Sequence, residues 1–206
     1  MLKNALVLSS LLLASSAYGE STALNYKSFY DRLKTVNKNN YGLVDIAFSV
    51  PNIAACKIQS GSIRTEKKSY PLTISKDQRL LLPYNERLKQ DRALIHLELA
   101  GAVAQCGIKM QIISKLNNLS YSQLDLKQIE NEMNALLKDL QGFPVKYFSE
   151  PIDGITFNFA TQEVKVKIDG KMKYVANKFQ LPSKAISNLT KLSFSHKPIT
   201  VSPWVK

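Results

Sequence analysis

Apolar side chains recur along this chain with two alternating periods. Tyr26, Phe29, Tyr30, Leu33 and Val36 stand at i, i+3, i+4 and near i+7, the spacing of a helix with one buried face. Ser21 or Thr22 is placed to cap that helix, and Asn37-Lys38-Asn39-Asn40 to stop it. From Leu43 the period falls to two: Val44, Ile46, Phe48 and Val50 alternate with Asp45, Ala47 and Ser49, a half-buried strand ended by Pro51. Strands are expected again over 56–64, 72–74, 79–82, 94–99 and 107–114, with a short helical or turn segment from Pro83 to Asp91. The helical period returns over 124–140, where Leu126, Ile129, Met133, Leu136, Leu137 and Leu140 share a face. Ser122 with Asp125 supplies a cap there, and Gly142 with Pro144 a stop. Beyond it, Ile155, Phe157 and Phe159 alternate, 164–175 reads as a hairpin, and 189–195 and 199–205 read as extended.

These elements predict an α+β fold, mainly antiparallel β, with sandwich-like sheets, an N-terminal helix and one central helix. Two β regions, 42–116 and 152–206, stand on either side of the 124–140 helix as possible lobes of one unit. A faint echo links them. Ile46-Ala47-Phe48-Ser49 resembles Ile155-Thr156-Phe157-Asn158, Lys57-Ile58 with Gly61 resembles Lys167-Ile168 with Gly170, and Leu82-Pro83 resembles Leu181-Pro182. A duplicated unit would show the same strand order in both halves.

The first nineteen residues stand apart from this pattern. Lys3 precedes the apolar stretch ALVLSSLLLA at 5–14, which is too short to span a bilayer, and Ala17-Tyr18-Gly19 offers small residues at the positions a signal peptidase reads. A leader over 1–19 with cleavage near Gly19 implies a periplasmic or secreted, non-membrane-spanning product that begins near Glu20. In that compartment Cys56 and Cys106, the only two cysteines, are most simply one structural disulfide, since Cys-x-x-Cys redox spacing is lacking.

Charge adds a property of partners. The full chain carries 28 Lys and Arg against 16 Asp and Glu; loss of the leader removes Lys3 and no acid, leaving a charge of +11. A field of that sign draws polyanions, here an anionic component of the cell envelope, while a protein partner stays open as the alternative. On the 164–175 hairpin, a three-residue loop Ile168-Asp169-Gly170 would pair Lys167 with Lys171 and Lys165 with Lys173, gathering four lysines on one face. Such a face repels itself and suits an anion, or simply guards a solvated edge. Arg64, Lys67 and Lys68 form a second basic set, with Arg79, Arg87, Lys89 and Arg92 further on and Tyr70 and Tyr84 near them. No helix-turn-helix or RNA-recognition signature accompanies them, so nucleic acid is not assigned as a partner.

Catalytic chemistry finds little footing. His96 and Glu98 lie two apart on one strand face, and His196 precedes Pro198 with no partner close in sequence. No nucleophile elbow, His-Glu-x-x-His or Gly-rich phosphate loop occurs, so no catalytic residue, metal ligand or cofactor is assigned. The reading is a non-catalytic envelope-binding or accessory protein. A small periplasmic hydrolase using carboxylates or His96 is the alternative from another class. A third is an assembly factor docking through the 124–140 helix or a β edge.

Three segments carry a resemblance: 24–34 (LNYKSFYDRLK), 65–72 (TEKKSYPL) and 194–198 (FSHKP). They resemble an uncharacterised family of small exported proteins from marine gamma-proteobacteria, a likeness expected to run over essentially the whole mature chain. It implies export and carries no activity, hence no site residues.

Overall fold

The computed structural model describes residues 20–101 and 103–205; the leader expected over 1–19 lies outside them. The elements of the first half run β1 (Glu20–Asn25), α1 (Tyr26–Asn39), β2 (Val44–Ser49), β3 (Ile58–Arg64), β4 (Ser69–Pro71), β5 (Thr73–Ile74), β6 (Arg79–Leu81), α2 (Glu86–Gln90), β7 (Leu94–Leu99) and β8 (Lys109–Ser114). The second half runs β9 (Ser120–Ser122), α3 (Gln123–Gln141), β10 (Gly154–Asn158), β11 (Val164–Ile168), β12 (Lys171–Val175), β13 (Lys178–Pro182), α4 (Ser183–Ile186), β14 (Lys191–Phe194) and β15 (Thr200–Trp204). The described residues are thus mostly antiparallel β with four α-helices.

Each half builds two sheets in one order, with β5 an additional edge strand of the first half. The first half pairs β1-β7-β3-β4 and β5-β6-β2-β8; the second pairs β9-β14-β11-β12 and β13-β10-β15. Matching them element by element makes β10 the counterpart of β2 and α4 the counterpart of α2, as the Ile46 and Leu82-Pro83 echoes anticipate. The Lys57-Ile58 echo does not map, because that pair borders the start of β3 while Lys167-Ile168 closes β11.

Each long helix is capped by the last residue of the strand before it. Asn25, in extended backbone, accepts from the Lys27 amide through its side chain, and Tyr26, Phe29, Tyr30 and Val36 bury the α1 face. The cap expected at Ser21 or Thr22 is therefore displaced: those residues belong to β1, which pairs with β7 from Glu20 opposite Leu99 to Asn25 opposite Leu94. In α3 the Asp125 amide donates to Ser122 Oγ at 3.1 Å and the Ser122 amide donates to Asp125 Oδ2 at 2.8 Å, a reciprocal cap. Leu126, Ile129, Met133 and Leu136 face inward from it.

The halves interlock. Helix α3 packs on β2 and β8 of the first half as well as β9 and β15 of its own, and β8 runs beside β15. Glu132 Oε2 accepts the Leu43 amide at 2.7 Å, Arg32 donates to the Leu140 carbonyl at 2.9 Å, and Arg79 donates to Thr200 Oγ1 at 2.7 Å. One cluster of buried apolar side chains extends through both halves.

The 164–175 hairpin departs from its expected register. Ile168 pairs with Lys171, Lys167 with Met172, Val166 with Lys173 and Lys165 with Tyr174. The loop is the two residues Asp169 and Gly170, with φ of 47° and 87°, so both central positions take the left-handed region that a tight hairpin turn requires. Asp169 is held there because its carboxylate accepts the Thr190 and Lys191 amides at 2.9 and 2.8 Å. The four-lysine face does not form. Lys165 and Lys167 share a face with Met172 and Tyr174; Lys171 and Lys173 lie on the other. The mixing costs little because β12 is an edge strand whose residues from Lys171 to Tyr174 are all exposed.

Candidate functional site

The β3–β7 register ends with Arg64 opposite Leu94. Residues just past that pair, 65–67 from one strand and 92–93 from the other, therefore leave the sheet side by side. Thr65 shapes the first exit: its amide donates to the Lys68 carbonyl at 2.8 Å, and its hydroxyl accepts the Lys67 and Lys68 amides at 3.3 and 3.0 Å. Tyr26 anchors the second, donating its hydroxyl to the Pro83 carbonyl and accepting the Asn85 amide at 3.1 Å. Burial raises the pKa of that hydroxyl, which stays a neutral donor. Asn85 then caps α2 by accepting the Arg87 and Leu88 amides, Leu88 is buried, and Arg92 turns the chain out at a φ of 49°.

Between these exits lies an open cleft of about 320 Å³ lined by Thr65, Glu66, Lys67, Arg87, Gln90, Asp91 and Arg92. Three cations face two carboxylates. The only ion pair among them is Arg87 Nε to Asp91 Oδ2 at 3.8 Å, long and exposed, hence weak in water. Among the described residues the Lys67 and Arg92 side chains make no hydrogen bond or ion pair. Arg87 and Asp91 also border a neighbouring slot of about 220 Å³ walled by Ile63, Tyr70, Leu72, Leu81 and Leu88.

The second half shows what this position looks like when closed. There the register ends with Ile168 opposite Leu192, so Asp169 and Gly170 leave the sheet beside Thr190 and Lys191. The Asp169 carboxylate bridges the gap by accepting both amides. In the first half a four-residue turn replaces two, no carboxylate crosses, and cations line the opening.

Of the residues expected to bind, Lys67 lines the cleft. Lys68 sits on the same turn outside it, and Arg64 turns back to Ser62 Oγ, donating from Nε at 2.9 Å. Lys165, Lys167, Lys171 and Lys173 belong to the other half; Lys165 and Lys173 lie over the rings of Tyr174 and Phe179. Arg87 and Arg92, noted in the sequence only as further cations, prove to be cleft residues. Their approach to Lys67 depends on strand register, which no local spacing reveals.

The histidines stand elsewhere. His96 lies on β7 between Ala23 and Ser62 of the flanking strands, its neighbour Glu98 accepting from Ser60 Oγ at 2.7 Å. His196 Nδ1 is 2.9 Å from Ser195 Oγ on an exposed loop. Neither lines the clefts described, and no group of three or more potential metal ligands is found among the described residues. Cys56 and Cys106 form a disulfide, tying the turn before β3 to the turn before β8. No helix among the described residues is long and apolar enough to cross a membrane.

The family described as "Protein of unknown function (DUF2987)" matches residues 18–159. The chain belongs to this family. The DUF2987 match takes in the 24–34 and 65–72 segments and stops at Phe159, short of the 194–198 segment, so it does not run the whole length. It includes every cleft residue and excludes the β11–β12 hairpin. No curated protein and no solved structure matches the chain.

Proposed function

We propose that this DUF2987 member is an exported, non-catalytic binding module of the cell envelope that takes an anionic group into the cleft at Lys67, Arg87 and Arg92. Export rests on the leader pattern at 1–19 and is consistent with the disulfide. The observation that carries the binding reading is the convergence on one opening of Lys67 from the β3–β4 turn, Arg87 from α2 and Arg92 from the turn after it, where the position matching it in the other half is sealed by Asp169. A carboxylate or phosphate entering there meets Lys67 and Arg92 with their donors unspent and displaces only the long Arg87–Asp91 pair. The ligand class is an anionic polymer or surface.

The test is titration with short-chain polyphosphate as the probe. Affinity should fall steeply as salt rises toward about 1 M, where the screening length is about 3 Å. An Arg87→Glu, Arg92→Glu double variant should lose about tenfold or more, equivalent to about 1.4 kcal/mol. Lys165→Glu with Lys167→Glu, equal in charge change, should bind within about twofold of the parent. Salt-independent binding, or equal losses in both variants, would refute the cleft.

A further inference from the structure

Helix α1 reaches β2 through four residues, 40–43, whereas its counterpart α3 reaches β10 through twelve, 142–153. The fold therefore makes this connection without the longer segment, and extra loop length on a rigid scaffold is where binding elements are commonly carried. Its sequence is GFPVKYFSEPID; the first seven residues, Gly142 to Phe148, carry the aromatics and Lys146, and Glu150 and Asp153 lie toward β10. Phe143 and Phe148 are 83% and 82% exposed, and Tyr147 and Val145 are 69% and 52% exposed. Three aromatics and a valine facing water within six residues are a departure from ordinary surface.

The loop is ordered by its own backbone. Gly142 ends α3 at a φ of 68°, its amide reaching the Lys138 carbonyl. Four consecutive amides, from Lys146 to Ser149, donate to the Gly142, Pro144 and Val145 carbonyls inside the loop. Phe143 and Tyr147 meet edge to face at 6.2 Å, and Lys146 Nζ lies 5.1 Å from the Tyr147 centroid. At its root Met110, Leu137, Leu140 and Val205 border a cleft of about 380 Å³ that Arg32 also lines.

We infer that this loop is a membrane-docking finger that inserts Phe143, Tyr147 and Phe148 into the interfacial region of an anionic bilayer. Five of the seven backbone N–H groups from Gly142 to Ser149 are paired within the chain, which lowers the cost of entering a water-poor region, a requirement a protein interface does not impose so strictly. Aromatic rings with a lysine beside them match the headgroup boundary. Without the leader and its Lys3 the chain keeps a charge of +11, which brings it to an anionic surface that the finger then grips.

Vesicle flotation and fluorescence test this. The parent should float with phosphatidylglycerol–phosphatidylethanolamine vesicles and bind phosphatidylcholine vesicles more weakly. Phe143→Ser with Phe148→Ser should reduce partitioning about tenfold or more while leaving polyphosphate affinity and circular dichroism unchanged. Phe148→Trp, read against the parent whose one tryptophan is Trp204, should gain a blue-shifted emission quenched by brominated lipid. Absence of that shift, or unchanged flotation of the serine variant, overturns the inference. So does a vesicle-independent dimer that the serine variant abolishes, which would assign the finger to a second copy. The Arg87→Glu, Arg92→Glu variant should keep the blue shift in a Phe148→Trp background, which separates the finger from the cleft.

Discussion

The two halves of the molecule place their strands in the same order but fasten them with different chemistry. In the first half Cys56 and Cys106 join two turns 50 residues apart in sequence. The second half has no cysteine and is held instead by rings: Phe157 lies 4.9 Å from Phe194 and 5.5 Å from Tyr121, with Phe159 and Phe179 also against Phe194. Phe48, the counterpart of Phe157, meets one ring, Phe29, at 4.9 Å. A half fastened covalently can leave a sheet end open, and there the basic cleft lies. The half closed by Asp169 carries instead the long 142–153 loop with its exposed rings. One topology thus presents two different surfaces because its stabilising contacts and its connections differ.

The largest effect expected is at the ring cluster. Phe157→Ala removes a fully buried ring touching three others and should cost about 4 kcal/mol, the middle of the range for such truncations. Phe48→Ala should cost about 3 kcal/mol, since fewer ring contacts are lost. Urea denaturation of both variants measures the difference. Equal losses would remove the claim that the second half depends on its rings more than the first.

Next is the disulfide. Replacing both cysteines, Cys56→Ser with Cys106→Ser, frees a loop of 50 residues in the unfolded chain and should cost up to about 4 kcal/mol. Glu132, Arg32 and Arg79 bind across the halves, so the loss should shift one cooperative transition as a whole. Trp204 reports the second half and circular dichroism reports both. If the tryptophan transition stays in place while part of the dichroism melts earlier, the halves are separate folding units and the interlock is weaker than its geometry.

Much of this architecture was legible where a period was long or a constraint covalent. Alternation marked β2 and β10, the Ser122–Asp125 spacing marked the start of α3, and a lone pair of cysteines without redox spacing marked their bond. Strand β1 was missed because its alternation rests on Thr22 and Leu24 alone, beside residues that also suit a cap. Strand β9, with three residues, is too short to show a period. The three-residue loop expected from sequence would put Met172 and Tyr174 on the face of Val164 and Val166, a burial that an edge strand such as β12 does not need. The cleft was half legible. Lys67 stood out in a basic run, but its approach to Arg87 and Arg92 follows from the pairing of β3 with β7, a relation between residues about thirty apart in sequence. The 142–148 finger was read only for its stop signals, Gly142 and Pro144, because exposure of an apolar side chain is a tertiary property.

The smallest effect expected sharpens the comparison at the helix starts. Both α1 and α3 follow a strand directly and are capped by that strand's last residue, Asn25 or Ser122. Asn25 satisfies one amide, that of Lys27, whereas Ser122 and Asp125 satisfy each other's. Helix α1 has a further anchor in Tyr26, whose hydroxyl is tied to Pro83 and Asn85 beside α2. Ser122→Ala should therefore cost about 1 kcal/mol and Asn25→Ala about half as much, by urea denaturation. The Asp125 side chain keeps its bond to the Ser122 amide in the alanine variant, so Asp125→Ala added to Ser122→Ala isolates the reciprocal contact. If the double variant is no less stable than Ser122→Ala alone, that contact contributes nothing, and the two helix starts are energetically alike despite their different chemistry.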